Sequence, residues 1–220
     1  MAGLSRMYYR RDPKPYKARA AANNKLTKTQ NRERLRDFFR NAKCMDCGIR
    51  DFAVLELDHR DPRHKRDDVS NLVRQSHCWT TIAKEIAKCD VVCANCHRKR
   101  TARSFDWRKL FGLEELVLPV LPKRGTVGYE RIKNARNVLR RRHRSRSHLM
   151  AYLLKHPCAL CGEADPVVLD FDHLRDKVWE VTNLARYGGW SRLLAEIEKC
   201  RVLCANCHRR QTALRAGRDR

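Results

Sequence analysis

The sequence predicts a small, metal-stabilised α+β fold built twice in tandem, and three observations predict it. CDVVCANCHRKRT (Cys89–Thr101) returns 111 residues later as CRVLCANCHRRQT (Cys200–Thr212). Each copy holds two CxxC pairs, within a chain of 220 residues that carries 11 cysteines. Between those pairs, each copy places a strand-like run (VLELDH, then VLDFDH) ahead of an amphipathic helical stretch.

The two copies can be followed element by element. Cys44 and Cys47 (CMDC) match Cys158 and Cys161 (CALC) at an offset of 114, as does VLELDH with VLDFDH. VSNL and VTNL match at 112, and everything from Trp79 and Trp190 onward at 111. The second copy has therefore lost three residues between the DH segment and the Trp, a change that a surface loop tolerates. Upstream, Leu35, Phe38 and Phe39 stand at helical spacing before the first CxxC, and Leu149, Tyr152 and Leu153 before the second. Each triplet predicts a helix face packed on its module. The strands are expected at residues 53–57 and 167–171, each followed by a polar loop and an amphipathic helix. That helix carries Trp79, Ile82 and Ile86 in the first copy, and Trp190, Leu193 and Ile197 in the second. CANCHR then opens the closing helix.

The expected layout is a basic arm (1–29), a first module (30–103), a linker with a basic helix (104–144), a second module (145–214) and a basic tail (215–220). Phe105, Trp107, Leu110 and the LVLPVLP run make the linker too apolar for a flexible tether, so it is expected to pack between the copies. Residues 127–148 carry eight Arg or Lys against one Glu, the composition of a solvated basic helix that can lie along phosphates.

Lys and Arg number 49 against 25 acidic residues, a formal net charge of +24. Such an excess points to a polyanionic partner, most simply nucleic acid. Arg98, Lys99, Arg100, Arg140, Arg141, Arg142, Arg209 and Arg210 are the candidate backbone-gripping residues. The longest apolar run is proline-broken and far short of a bilayer span, and the basic N-terminus has no apolar h-region. A cytoplasmic protein without a membrane partner is expected, and in reducing surroundings clustered cysteines indicate metal rather than disulfides.

The expected structural zinc ligands are Cys44, Cys47, Cys93 and Cys96, then Cys158, Cys161, Cys204 and Cys207, about two ions per chain. The pairs are separated by 45 residues in one copy and 42 in the other, so the metal clamps the ends of a larger unit and supplies much of its folding free energy. Cys78, Cys89 and Cys200 are left over and read as buried hydrophobes.

Asp58-His59 and Asp172-His173 set a carboxylate beside an imidazole near a strand end, and His97 and His208 open the closing helices. Neighbours on a strand face opposite ways, an alternation that a strand end or bulge relaxes. This set suits metal-assisted hydrolysis of a phosphodiester. Asp58 with His97, and Asp172 with His208, would hold a divalent cation, while His59 or His173 deprotonates water. The order D-H, N-L, C-x-x-C-H, found twice, resembles the zinc-knuckle branch of the HNH endonuclease family, common in phages and bacteria.

The resemblance covers most of each module. It implies a ββα-metal (His-Me finger) fold with flanking helices, and a bacterial or phage-infected cell as the setting. It makes His59 and His173 general bases, and gives Asn71 and Asn183 the role of orienting the loop between the strands. Mg2+ or Mn2+ is the implied catalytic ion. Asn95 and Asn206, inside CANC, are rivals for the asparagine. The implied function is endonucleolytic hydrolysis of DNA, one strand per module, with the tandem chain as its own pseudo-dimer. The competing class is a non-catalytic zinc module that binds nucleic acid. RNA is a weaker alternative substrate, because no stacking surface of the RNA-recognition type is legible.

Overall fold

The structure is a computed structural model that describes residues 14–104, 115–187 and 189–217. It packs as two compact units that divide between Cys93 and Ala94. The expected small α+β architecture is present, with one two-stranded antiparallel sheet in each copy.

In the first unit, helix α1 (Lys14–Arg40) leads into the CMDC knuckle, a 3-10 turn at Phe52–Val54 and strand β1 (Leu55–His59). Short helix α2 (Val69–Arg74) and helix α3 (Trp79–Ile86) follow, and strand β2 (Cys89–Cys93) returns beside β1. The register runs from Leu55 opposite Cys93 to His59 opposite Cys89. Val69, Leu72, Val73, Ile82 and Ile86 form the apolar core, with Leu35, Leu57 and Trp79 packed against it.

The second unit opens with helix α4 (Ala94–Ser104) and continues with the long helix α5 (Tyr129–Leu153). Then come a 3-10 turn at Pro166–Val168, strand β3 (Leu169–His173), helices α6 (Val181–Tyr187) and α7 (Trp190–Ile197), strand β4 (Cys200–Cys204) and helix α8 (Ala205–Arg215). Leu169 stands opposite Cys204 and His173 opposite Cys200. The core has two parts. Leu153, Val168 and Leu203 lie over the knuckle, and Leu149, Val181, Leu193 and Ile197 lie between the helices.

Each knuckle is pinned to its sheet. Met45 N–H donates to Val91 O (2.8 Å) and Ala159 N–H to Val202 O (2.9 Å). The turn needs glycine, because Gly48 and Gly162 sit at φ +77° and +76°, a region costly for a residue with a Cβ.

Three expectations are corrected. The strands begin two residues later than the sequence suggests, because Asp51 and Asp165 cap 3-10 turns by accepting from Ala53 N–H (2.9 Å) and Val167 N–H (3.0 Å). A side-chain bond of this kind competes with the sheet ladder. The linker's apolar run faces solvent where it is described, with Val117 and Val120 83% and 87% exposed. Its residues Phe105, Trp107 and Leu110 lie outside the described residues, as do 1–13 of the arm and 218–220 of the tail. Finally, the helix stripe before the first knuckle is less buried than expected, since Phe38 is exposed while Leu149 and Leu153 in the second copy are buried. Among the described residues, no helix is long and apolar enough to cross a membrane.

Candidate active sites and metal centres

The eight predicted thiols gather as two quartets. Cys44, Cys47, Cys93 and Cys96 place their sulfurs within 4.8 Å of one another, and so do Cys158, Cys161, Cys204 and Cys207. Four sulfurs at that spacing can hold a metal ion, and thiolate is a soft ligand suited to zinc. Burial opposes ionisation of Cys44 and of Cys158. Backbone N–H donors from Cys47 and Cys93, and from Cys204 and Leu160, outweigh it and hold both thiols down to about 7. Burial and the neighbouring Cys161 and Cys204 sulfurs push Cys207 up. Four charged thiolates so close together repel, and a shared cation is the group that relieves them.

The cysteines outside the quartets divide. Cys89 and Cys200 donate to the carbonyls of Glu85 and Glu196 (3.3 Å each). Burial first, then those carboxylates, push both thiols up to about 11, which disfavours the reactive thiolate. Cys78 departs from the buried expectation. It is exposed, and the hydroxyls of Thr80 and Thr81 hold its thiol down to about 7.

The Asp-His pairs are the last two residues of β1 and β3, and in the second copy their side chains reach different helices. His173 Nε2 is 3.0 Å from Glu196 Oε1 on α7. Asp172 lies against α8, with its Oδ1 3.7 Å from His208 Nε2. The expected acid and helix-borne imidazole are thus neighbours there. His208 Nδ1 is also 3.1 Å from Asp170 Oδ2, a residue the sequence did not single out. In the first copy the register sets Asp58 opposite Asp90, and His59 Nε2 is 2.9 Å from Glu85 Oε1.

Glu85 and Glu196 are the residues that sequence reasoning missed. Glu85 is 2% exposed, on the helix face shared with Ile82 and Ile86. Besides His59, it accepts from Arg66 N–H (2.8 Å) and pairs with Lys88 Nζ (2.7 Å). Glu196 does the same with Val178 N–H (2.9 Å) and Lys199 Nζ (2.9 Å). Burial opposes ionisation of Glu85, but Lys88, Arg66 N–H and His59 outweigh it and bring its carboxyl down to about 2. Lys199 first does the same for Glu196, also to about 2. A carboxylate without a proton can only accept. Each imidazole therefore donates Nε2–H to its Glu, so that in the neutral ring the basic nitrogen is Nδ1, the orientation that a general base needs. The signal was present as E-I-x-K-C at offset 111 in both copies, but an isolated Glu in an amphipathic helix reads as a solvent-facing residue.

The asparagines behave differently from one another. Asn71 lies on α2, where its Nδ2 donates to Asp67 (3.0 Å) and Arg74 donates to its Oδ1 (3.2 Å), ties within the polar loop. Asn183 is exposed on α6. The rivals Asn95 and Asn206 clasp each other. Asn95 N–H donates to Asn206 Oδ1 (3.1 Å) and Asn206 N–H to Asn95 Oδ1 (3.0 Å). That reciprocal contact has the form of an isologous, two-fold interaction, here between α4 and α8.

Several candidate gripping residues are engaged internally. Arg98 forks onto Asp170 (2.7 and 2.9 Å), and Lys99 reaches Glu163 (3.3 Å). Arg142 donates to Arg186 O (3.1 Å), and Arg210 lies 3.8 Å from Cys207 Sγ. Arg140, Arg141 and Arg209 are exposed, and Arg100 is half-buried. Beside His208 and Asp170 runs a cleft of about 630 Å³, edged by Arg98, Arg146 and Arg186. No family model, curated protein or solved structure matches the chain.

Proposed function

We propose that the chain is a metal-dependent endonuclease that hydrolyses DNA phosphodiester bonds in HNH-like modules, each held by a structural zinc ion on its four thiolates. The observation that carries this reading is the buried Glu–His pair at the end of the first strand of each copy. Ionised Glu85 fixes His59 with its proton on Nε2, and Nδ1 is left as the nitrogen that takes a proton from water. The surrounding Lys88 and Arg66 N–H keep that carboxylate ionised, so the imidazole rather than the Glu is the proton acceptor.

Asp58 and His97 are the residues that would hold the catalytic cation, Mg2+ or Mn2+, in the first copy. A strand-borne carboxylate with an imidazole opening the next helix is a donor set suited to a hard or borderline divalent ion, and Asp90 opposite Asp58 is held by Arg60 (3.2 Å). When bound, such an ion neutralises charge developing on the phosphate and lowers the pKa of water. Asn71 holds the loop through Asp67, and the exposed Arg140, Arg141 and Arg209 supply sequence-independent attraction to the DNA backbone. The cytoplasm of a bacterial or phage-infected cell is the setting that fits.

A second reading has its own support. His59 and His173 have side chains only 8% and 11% exposed, which also suits structural histidines in a zinc module that binds nucleic acid without cutting it. Supercoiled plasmid with Mg2+ or Mn2+ separates the two. The endonuclease reading expects cleavage by the wild type and none by the His59→Ala/His173→Ala double variant, with mobility-shift binding retained in both. A wild type that binds the plasmid but leaves it supercoiled with either ion establishes the non-catalytic reading.

A further inference from the structure

The two copies are alike around the Glu–His pair and differ in the residue that the sheet register sets opposite the neighbouring aspartate. Asp172 has a side chain 2% exposed and is enclosed by guanidinium groups. Arg215 donates to both its oxygens, Nη1 to Oδ1 (2.7 Å) and Nη2 to Oδ2 (2.9 Å). Arg201 Nε donates to Oδ2 as well (3.0 Å), and its other end is held by Gln211 Oε1 (2.9 Å). The bidentate fork is the strongest geometry available to such a pair.

The sequence positions that build this enclosure changed together. At offset 111, Arg201, Gln211 and Arg215 stand where the first copy has Asp90, Arg100 and Ser104. Those three positions sum to a formal charge of +2 in the second copy and zero in the first, where Asp90 in turn pairs with one arginine, Arg60 (3.2 Å). Across the sheet, Asp172 faces Arg201, whereas Asp58 faces Asp90. A divalent cation at Asp172 would have to displace a bidentate arginine and sit beside two guanidinium charges, an arrangement that Coulomb repulsion disfavours. The donor set of the second copy does not fit the ion.

We propose that the second copy is not a catalytic cation site: Asp172 is the acceptor of a two-arginine lock that joins β3, β4 and α8. Resting on the endonuclease reading, it follows that the first copy alone hydrolyses DNA, so the product is a nick in one strand. The second copy keeps the fold and the zinc centre without the second cut.

The test uses the full, zinc-loaded chain and Mn2+ as the probe, followed by its paramagnetic resonance signal. One Mn2+ site per chain is expected, lost in Asp58→Asn and retained in Asp172→Asn. Plasmid should accumulate as nicked circles, with no linear product. Grafting the first copy's residues (Arg201→Asp with Arg215→Ser) should add a second Mn2+ site. Two Mn2+ sites in the wild type, one of them lost in Asp172→Asn, overturn the proposal. Absence of both Mn2+ binding and cleavage would defeat the endonuclease reading instead. The lock is then judged by melting alone. Asp172→Asn should lower the melting temperature by several degrees, equally with and without Mn2+, and an unchanged melting temperature overturns it.

Discussion

In the first copy, Asp58 of β1 stands across the sheet from an acid; in the second, Asp172 of β3 stands across from an arginine. One step further along the same strands, His59 and His173 make the same bond to the same buried Glu, backed by the same Lys. Two repeats that share a scaffold can thus diverge one residue away from a shared device. The Glu–His–Lys group is built into the core and ties helix, loop and strand together, so losing it costs stability whatever the copy does. The residue set opposite the aspartate is where the repeats have parted.

The largest effects should fall on what the copies share most fully. Cys93→Ser and Cys204→Ser each remove one ligand of a quartet. Structural zinc contributes about 10–16 kcal/mol in small zinc-finger peptides. Zinc per chain should fall from about two to about one in either variant, with loss of cooperative unfolding in the affected half. Metal content measured after gel filtration checks this. A variant that keeps both ions would show that the quartet tolerates three thiolates and would break the equivalence of the halves.

The next contrast sets stability against activity. Glu85→Gln and Glu196→Gln each leave a partly exposed lysine and a buried imidazole without their carboxylate, a loss of about 1–3 kcal/mol. Denaturant midpoints should fall by comparable amounts in the two variants. Cleavage should fall at least tenfold in Glu85→Gln alone, since an amide no longer dictates which imidazole nitrogen carries the proton. Equal loss of cleavage in both variants would restore the second copy as a working site.

These Glu residues also show how far the sequence could be read. The quartets, the Asp-His pairs and the closing helices were legible because CxxC spacing and exact repetition survive without any knowledge of the fold. Strand starts were not, because Asp51 and Asp165 spend their carboxylates on local turns that propensity does not register. The Glu–His bond was hidden for another reason. Its partners lie 26 and 23 residues apart, and a helix with Ile82 and Ile86 gives no sign that the Glu between them faces inward. The arginine lock needed the register, since only the pairing of β3 with β4 puts Arg201 beside Asp172.

Acid should expose the same pair of carboxylates. Glu85 and Glu196 are held to about 2 in the fold, against about 4.3 for an unfolded Glu. A depressed carboxylate contributes stability that is fully present above its unfolded pKa and is lost as pH falls toward the folded value. Denaturant midpoints should therefore drop between about pH 4.5 and 2. The wild type and the two Gln variants share the same thiolates, so the difference between their pH profiles isolates the Glu contribution. Burial opposes ionisation of Asp170 and Asp172, but His208 and Arg98 outweigh it at the first and Arg215 and Arg201 at the second, so both are also lowered. The half containing them should be the first to unfold in acid. Simultaneous unfolding would mean that the lock contributes little.

The smallest effect belongs to the asparagine clasp between α4 and α8. Each side-chain oxygen caps the other helix's Asn N–H at 3.0–3.1 Å, and loss of one such cap costs about 1 kcal/mol. Asn95→Ala removes the acceptor for Asn206 N–H, and Asn206→Ala removes the acceptor for Asn95 N–H, so the two single variants should weaken stability equally. The clasp is reciprocal, which makes the double variant informative. If each bond stands alone, the two losses add. If either bond holds both helix starts in register, the double variant should be hardly less stable than either single one, leaving a coupling energy on the order of 1 kcal/mol. Urea denaturation of the four proteins measures it. Unequal single losses would show that α4 and α8 differ at their starts as β2 and β4 differ across the sheet, and the divergence of the copies would then reach a contact that is reciprocal in form.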